Sequence, residues 1–203
     1  MPCALHARLG SLPREPAERG RARSRLALHS GRARWLRECR RAGGALVSGA
    51  PSSTDRVERS IVIRAPRSKV WRALTDAAEF GRWFGADLQN QRFEVGRTVR
   101  GQMTIPGCEH VVFDAIVERI EPESSLAFRW HPYAVDPAID YSKEERTLVT
   151  FTLEESGGST TVHVVESGFD EVPAARRAEA FRMHGEGWDI QLGNVKRHAQ
   201  SHG

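Results

Sequence analysis

The chain has 203 residues, 39% of them hydrophobic, and a formal net charge of +4. That length holds one well-buried domain and an appendage rather than two domains of ordinary size, and no apolar run approaches the roughly 20 residues of a membrane-spanning helix. The three cysteines, Cys3, Cys39 and Cys108, are scattered and odd in number, which fits neither a disulfide framework nor a C-x-x-C metal or redox pair, so a reducing, cytoplasmic setting is expected.

Charge divides the chain. Through Asp55 eleven arginines stand against four acids; from Arg56 onward nineteen bases face twenty-two acids. The basicity belongs to residues 1–55, and nucleic-acid binding by the remainder draws no support from bulk charge. Residues 1–55 are rich in Arg, Ala, Gly, Pro and Ser and poor in large apolar residues, a composition that predicts a disordered extension. No apolar core follows the charges, which excludes a secretory signal; Glu15, Glu18 and Glu38 weigh against an organellar transit peptide, although Arg21 to Arg41 could form a short basic helix. Val47 to Pro51 reads as an ordinary lead into a domain, with translation starting at a valine codon as the simplest account of what precedes it.

The domain is expected over residues 56–203. Ile61, Val62 and Ile63 predict a first strand, stopped by Pro66, which opens a helix carrying Val70, Trp71 and Leu74 on one face; Trp71 is expected in the core. A second helical piece, Ala77 to Phe84, presents Phe80, Trp83 and Phe84. Short strands follow over Ala86 to Gln91 and Thr98 to Ile105. From His110 to Ile120 the chain alternates, with Val111, Phe113, Ala115 and Val117 on one face, and Leu126, Phe128 and Trp130 alternate on a returning strand. Pro132 to Lys143 reads as a long loop. Glu145 to Glu154 and Thr160 to Gly168 predict a hairpin over Ser156-Gly157-Gly158-Ser159. Last comes a helix over Ala174 to Ala199, its stripe drawn by Ala174, Ala178, Phe181, Gly185, Trp188, Leu192, Val195 and Ala199, with Gln191 and the charged residues on the wet face. Consecutive hairpins closed by a long helix give an α+β, helix-grip domain: a curved antiparallel sheet of six to seven strands wrapped around the C-terminal helix, with two short helices after the first strand.

The run Ile61 to Asp76, then Phe80-Gly81-Arg82-Trp83-Phe84, and the closing Glu166-Ser167-Gly168-Phe169 with Gly187-Trp188 and Leu192 resemble START-like (SRPBCC) domains. More narrowly they resemble the group named after the activator of the heat-shock protein 90 ATPase. The resemblance covers Arg56 to about His202. It implies a seven-stranded sheet gripping the C-terminal helix, an apolar cavity between them, and a hydrophobic ligand such as a lipid, an aromatic or a polyketide; some members cyclise polyketides, and the namesake is a co-chaperone. A chaperone partner and pairing with a second copy are further associations it leaves open. Relatives labelled as demethylase oxidoreductases are no guide here, because the chain has no cysteine cluster for iron and sulfur and no G-x-G-x-x-G opening a helix. No cofactor is expected.

The expected ligand-binding residues are Trp83, Phe84, Phe113, Val117, Trp130, Phe151, Phe181, His184, Trp188 and Leu192, rings and aliphatic groups on the helix and on the sheet face directed at it. The small residues Ala115, Ala127, Ala178 and Gly185 are expected to leave the space beside them unfilled. Packing alone would also account for these residues. Binding without catalysis is the leading expectation; a cavity enzyme of cyclase or hydrolase type, acting through Arg129, His131, Tyr141 or His184, is the alternative. No metal is expected: His163 is isolated, and His198 with His202 is placed at a fraying helix end without a nearby carboxylate.

Overall fold

The computed structural model describes Ser52 and residues 54–132, 134–136 and 138–201; the expectations for residues 1–51 lie outside the described residues. Strand β1 is Arg56–Ile63, followed by helices α1 (Arg67–Thr75) and α2 (Ala77–Phe84), strands β2 (Thr98–Gln102), β3 (Val112–Glu121), β4 (Ser125–Trp130), β5 (Thr147–Ser156) and β6 (Ser159–Ser167), and helix α3 (Ala174–Ser201). The six strands form one sheet in the order β1-β6-β5-β4-β3-β2, every pair antiparallel. This is the expected α+β helix-grip fold. No helix among the described residues is long and apolar enough to cross a membrane.

The hairpin of β5 and β6 turns on Gly157 and Gly158, with φ of 57° and 75°, the left-handed pair that matches the twist of a two-residue turn. That turn sets Ser156 opposite Ser159 and hence the register of both strands. In β3 the pairing shifts between Val117 and Arg119. The extra residue reverses the alternation, so that Ile120 rejoins the inner face opposite Leu126, and a bulge of this kind bends the sheet around what it covers.

Three expectations are corrected. Residues 86–91 form no strand: Ala86 makes an isolated bridge to Met103 and Asp87 N–H donates to Gln102 O, after which the chain turns away with Leu88 buried. Gly101 makes this approach feasible, since a Cβ there would lie 1.9 Å from Asp87 O. On α3 the stripe winds: Ala174 and Ala178 are exposed, while Ala180, Met183, His184, Gln191 and His198 are buried. A strict four-three repeat drifts about 20° per heptad against a straight helix, which over this length swings its first positions out to solvent. Gln191 accordingly donates to Phe84 O at 2.9 Å. Finally, His198 lies 3.1 Å from Glu79 Oε2, tying α3 to α2. Trp71 is half-buried at the margin of the core.

Candidate functional site

Inward positions on β6 are Thr160, Val162, Val164 and Glu166, all fully buried. The last of these sets a carboxylate in the middle of the grip. Four side chains from three elements converge on it. Oε1 accepts from Trp130 Nε1 and from Thr147 Oγ1, each at 2.7 Å; Oε2 accepts from His184 Nδ1 and from Trp188 Nε1, each at 2.7 Å. His184 and Trp188 are one turn apart on α3 and so reach the same group. Trp130 ends β4 and Thr147 begins β5, directly opposite each other in the ladder.

Two donors per oxygen make this a satisfied buried carboxylate. Burial pushes the pKa of Glu166 up, but the charge of His184 and the bonds from His184, Thr147 and Trp130 outweigh that and hold it below the ordinary glutamate value. The group is therefore ionised at neutral pH, and it fixes two indole rings and one imidazole in orientation.

Rings surround this centre. Trp130 packs on Trp188 at 5.9 Å, on Phe113 at 6.0 Å and on Phe84 at 5.9 Å between centroids, and Phe151 meets Trp188 edge-on at 5.5 Å. A second chain of contacts runs outward from His184 to Phe169 at 5.6 Å and on to Phe181 at 5.5 Å. Phe181 is half-exposed and lines a depression of 260 Å³ with Thr54, Ala174, Arg177 and Ala178.

Of the expected ligand-binding residues, the structure gathers Phe84, Phe113, Trp130, Phe151, His184 and Trp188 into this cluster. Val117 and Leu192 are buried in the same core. Trp83 joins the core through Phe80 and Phe84, and its Nε1 donates to Ala73 O at 2.7 Å, fastening α2 to α1. The volume argument from small residues changes. Ala115 faces inward, but Ala127 lies on the outer face of β4, Ala178 is exposed, and a Cβ at Gly185 would meet only the guanidinium of Arg59 at 3.2 Å.

Among the four residues considered for catalysis, only His184 reaches the interior cluster. Arg129 is on the outer face of the sheet, paired with Glu118 at 3.1 Å. His131 Nε2 donates to Glu144 O at 3.2 Å; burial, and next the charge of Arg146, holds its pKa below the usual imidazole value. Tyr141 opens a single 3-10 turn, Tyr141–Lys143, where its hydroxyl accepts from Asp136 N–H at 3.1 Å. Its ring lies under the guanidinium of Arg176, 5.0 Å away. No group of three or more His, Cys, Asp or Glu among the described residues could hold a metal ion.

Glu166 and Thr147 are site residues that the sequence does not single out. The available signal is an acid in step with Val162 and Val164 on a strand whose inner face is otherwise apolar.

Residues 64–200 match the family model of Activator of Hsp90 ATPase homolog 1-like protein. The chain matches no curated protein. Among solved structures it is similar to DynU16, a protein in the dynemicin biosynthetic locus, at 26% identity and a TM-score of 0.55, covering 72% of this chain and 48% of that one. The chain thus spans about half the length of DynU16. It is also similar to MLL2253 from Mesorhizobium loti, at 24% identity and a TM-score of 0.56 over 73% of this chain and 98% of that one. NE0264 from Nitrosomonas europaea is similar at 13% identity and a TM-score of 0.58, over 76% and 100% of the two chains. The last two likenesses speak for the fold alone.

Proposed function

Since the chain belongs to the family of Activator of Hsp90 ATPase homolog 1-like proteins, we propose that it binds a hydrophobic, ring-bearing small molecule between the sheet and α3. The observation that carries this reading is the wall of rings that ends on a fully buried, four-donor carboxylate. A buried charge is seldom the cheapest way to fill a core, because well-packed apolar residues of similar volume are often as stable or more so. Its presence amid Trp130, Phe151 and Trp188 is therefore read as orienting those rings for a partner. Aromatic faces held at fixed angles suit offset or edge-on contact with a planar guest. The half-exposed Phe181, in ring contact with Phe169 and through it with His184, marks the side from which a guest would reach them. The description of DynU16 as a protein of a biosynthetic locus is consistent with a small-molecule role.

The test is a thermal-shift and native mass spectrometry screen of fatty acids, aromatic acids and polyketide-like rings on the wild type and on Trp188→Phe. A ligand at 100 times its Kd raises stability by about 2.7 kcal/mol, several degrees in melting temperature. The expected result is a shift in the wild type that is reduced in the variant. Absence of any shift in either protein would end the binding reading.

One observation favours a second reading, a cavity enzyme: the carboxylate–imidazole pair of Glu166 and His184 is an arrangement that orients a histidine for proton transfer. Mass change of a bound ring ketone or ester on incubation with the wild type, lost in His184→Gln, would favour it over binding alone.

A further inference from the structure

Arg176 lies in the first turn of α3, two turns before His184, with the fully buried Ala180 one turn from each. Its side chain is 18% exposed and held from two sides. The guanidinium sits over the Tyr141 ring, and Nη2 donates to Glu144 Oε2, while the carbonyl of Glu144 is engaged by His131. Nη1 is different. It is buried and has no hydrogen-bond partner among the described residues.

A guanidinium offers five N–H donors in a rigid fork. A buried cationic N–H without an acceptor is costly, and such a group in an otherwise satisfied structure calls for a partner. Glu144 already uses the other terminal nitrogen, so the unpaired donor suits one further oxygen.

Resting on the binding reading above, we infer that Arg176 is the polar anchor of the ligand, and that the ligand is a ring-bearing molecule with an acceptor oxygen, a carboxylate or a ring carbonyl, bound at Nη1. The orientation follows from which donors are engaged. Trp130 Nε1, Thr147 Oγ1, His184 Nδ1 and Trp188 Nε1 are all spent on Glu166, whereas Arg176 Nη1 has no partner among the described residues; the oxygen therefore goes to Arg176 and the rings point toward His184 and Trp130. Eight residues of helix separate Arg176 from His184, about 12 Å at 1.5 Å per residue, which suits a molecule of about two or three fused rings with its polar substituent.

The experiment measures binding of 2-naphthoate, 2-acetylnaphthalene and 2-ethylnaphthalene to the full chain by titration calorimetry. The wild type is expected to bind naphthoate, the ketone or both at least about tenfold more tightly than the ethyl compound. A gain shared by both assigns a carbonyl acceptor, and a gain by naphthoate alone a carboxylate. In Arg176→Met that advantage is expected to vanish while affinity for 2-ethylnaphthalene stays the same; Arg176→Lys, with charge but no fork, is expected to recover part of the naphthoate advantage only. Equal affinity of the wild type for all three overturns the anchor and leaves the binding reading intact. Binding of none overturns both. Because the comparison is made on the wild type, neither result depends on a variant folding.

Discussion

Replacing Glu166 by glutamine keeps the shape of the side chain and exchanges one acceptor oxygen for an NH₂ group. Thr147 can rotate its hydroxyl and His184 can present an unprotonated Nδ1, but an indole nitrogen only donates. Each carboxylate oxygen serves one indole, Trp130 at Oε1 and Trp188 at Oε2, so either amide orientation strands a buried tryptophan N–H. That alone costs about 1–3 kcal/mol. With the charge-assisted bond to His184 also lost, the total reaches about 3–5 kcal/mol, as for other broken buried pairs. The melting temperature should fall by roughly 6 to 20 °C. Urea unfolding followed by tryptophan fluorescence gives the free energy directly. The pH dependence supplies a second readout: a carboxyl whose folded pKa is depressed stabilises above its unfolded value and loses that contribution as pH falls through the folded one. Because Glu166 is held below its ordinary value by His184 and its hydrogen bonds, against burial, the wild type should lose stability below about pH 4 by a step that Glu166→Gln lacks. A cost under about 1 kcal/mol, with an unchanged acid limb, would refute the four-donor arrangement.

Gly101→Ala should be among the most damaging single changes, at least about 3 kcal/mol, because its Cβ would fall 1.9 Å from Asp87 O and 2.7 Å from Leu88 Cδ2; wild-type stability in denaturant would show that residues 86–91 do not lie against β2. Burial, then Arg146, depresses the pKa of His131, so on acidification the unfolded chain takes up that proton first and stability falls with pH. Melting curves of His131→Gln should accordingly be flatter than wild type between about pH 7 and 5, and an identical slope would contradict the placement of His131. Prolonged EDTA treatment should leave the melting temperature unchanged, since no metal-holding cluster occurs among the described residues; structure lost to the chelator and restored by zinc would count against this.

How far the site could be read from sequence depends on which element supplies each residue. The Gly157-Gly158 turn pairs Ser156 with Ser159, and counting back along that ladder sets Val149 opposite Glu166. Parity then places Thr147, Val149, Val162, Val164 and Glu166 on one face. Glu166 and Thr147 are thus legible as an acid and a hydroxyl on an inner surface, although the family motif uses Glu166 only as one of its letters. The helix side is less accessible. A stripe drawn at alternating four and three residues selects Gly185, whereas the burial of Ala180, Met183 and His184 follows the straight-helix period, and a rotation of one residue decides whether an imidazole or a hydrogen atom faces the carboxylate. Arg176 is out of reach for a different reason: the segment from Pro132 to Lys143 has no period from which to infer that Tyr141 and Glu144 would close on the first turn of α3. Positions fixed by ladder arithmetic can be read in advance, while those fixed by the rotation of a helix or the path of a loop depend on the packing of the whole domain. In this chain the charged groups of the proposed site fall on both sides of that line, with Glu166 on the ladder and with His184, which bonds it, and Arg176, which bonds Glu144 instead, on the helix.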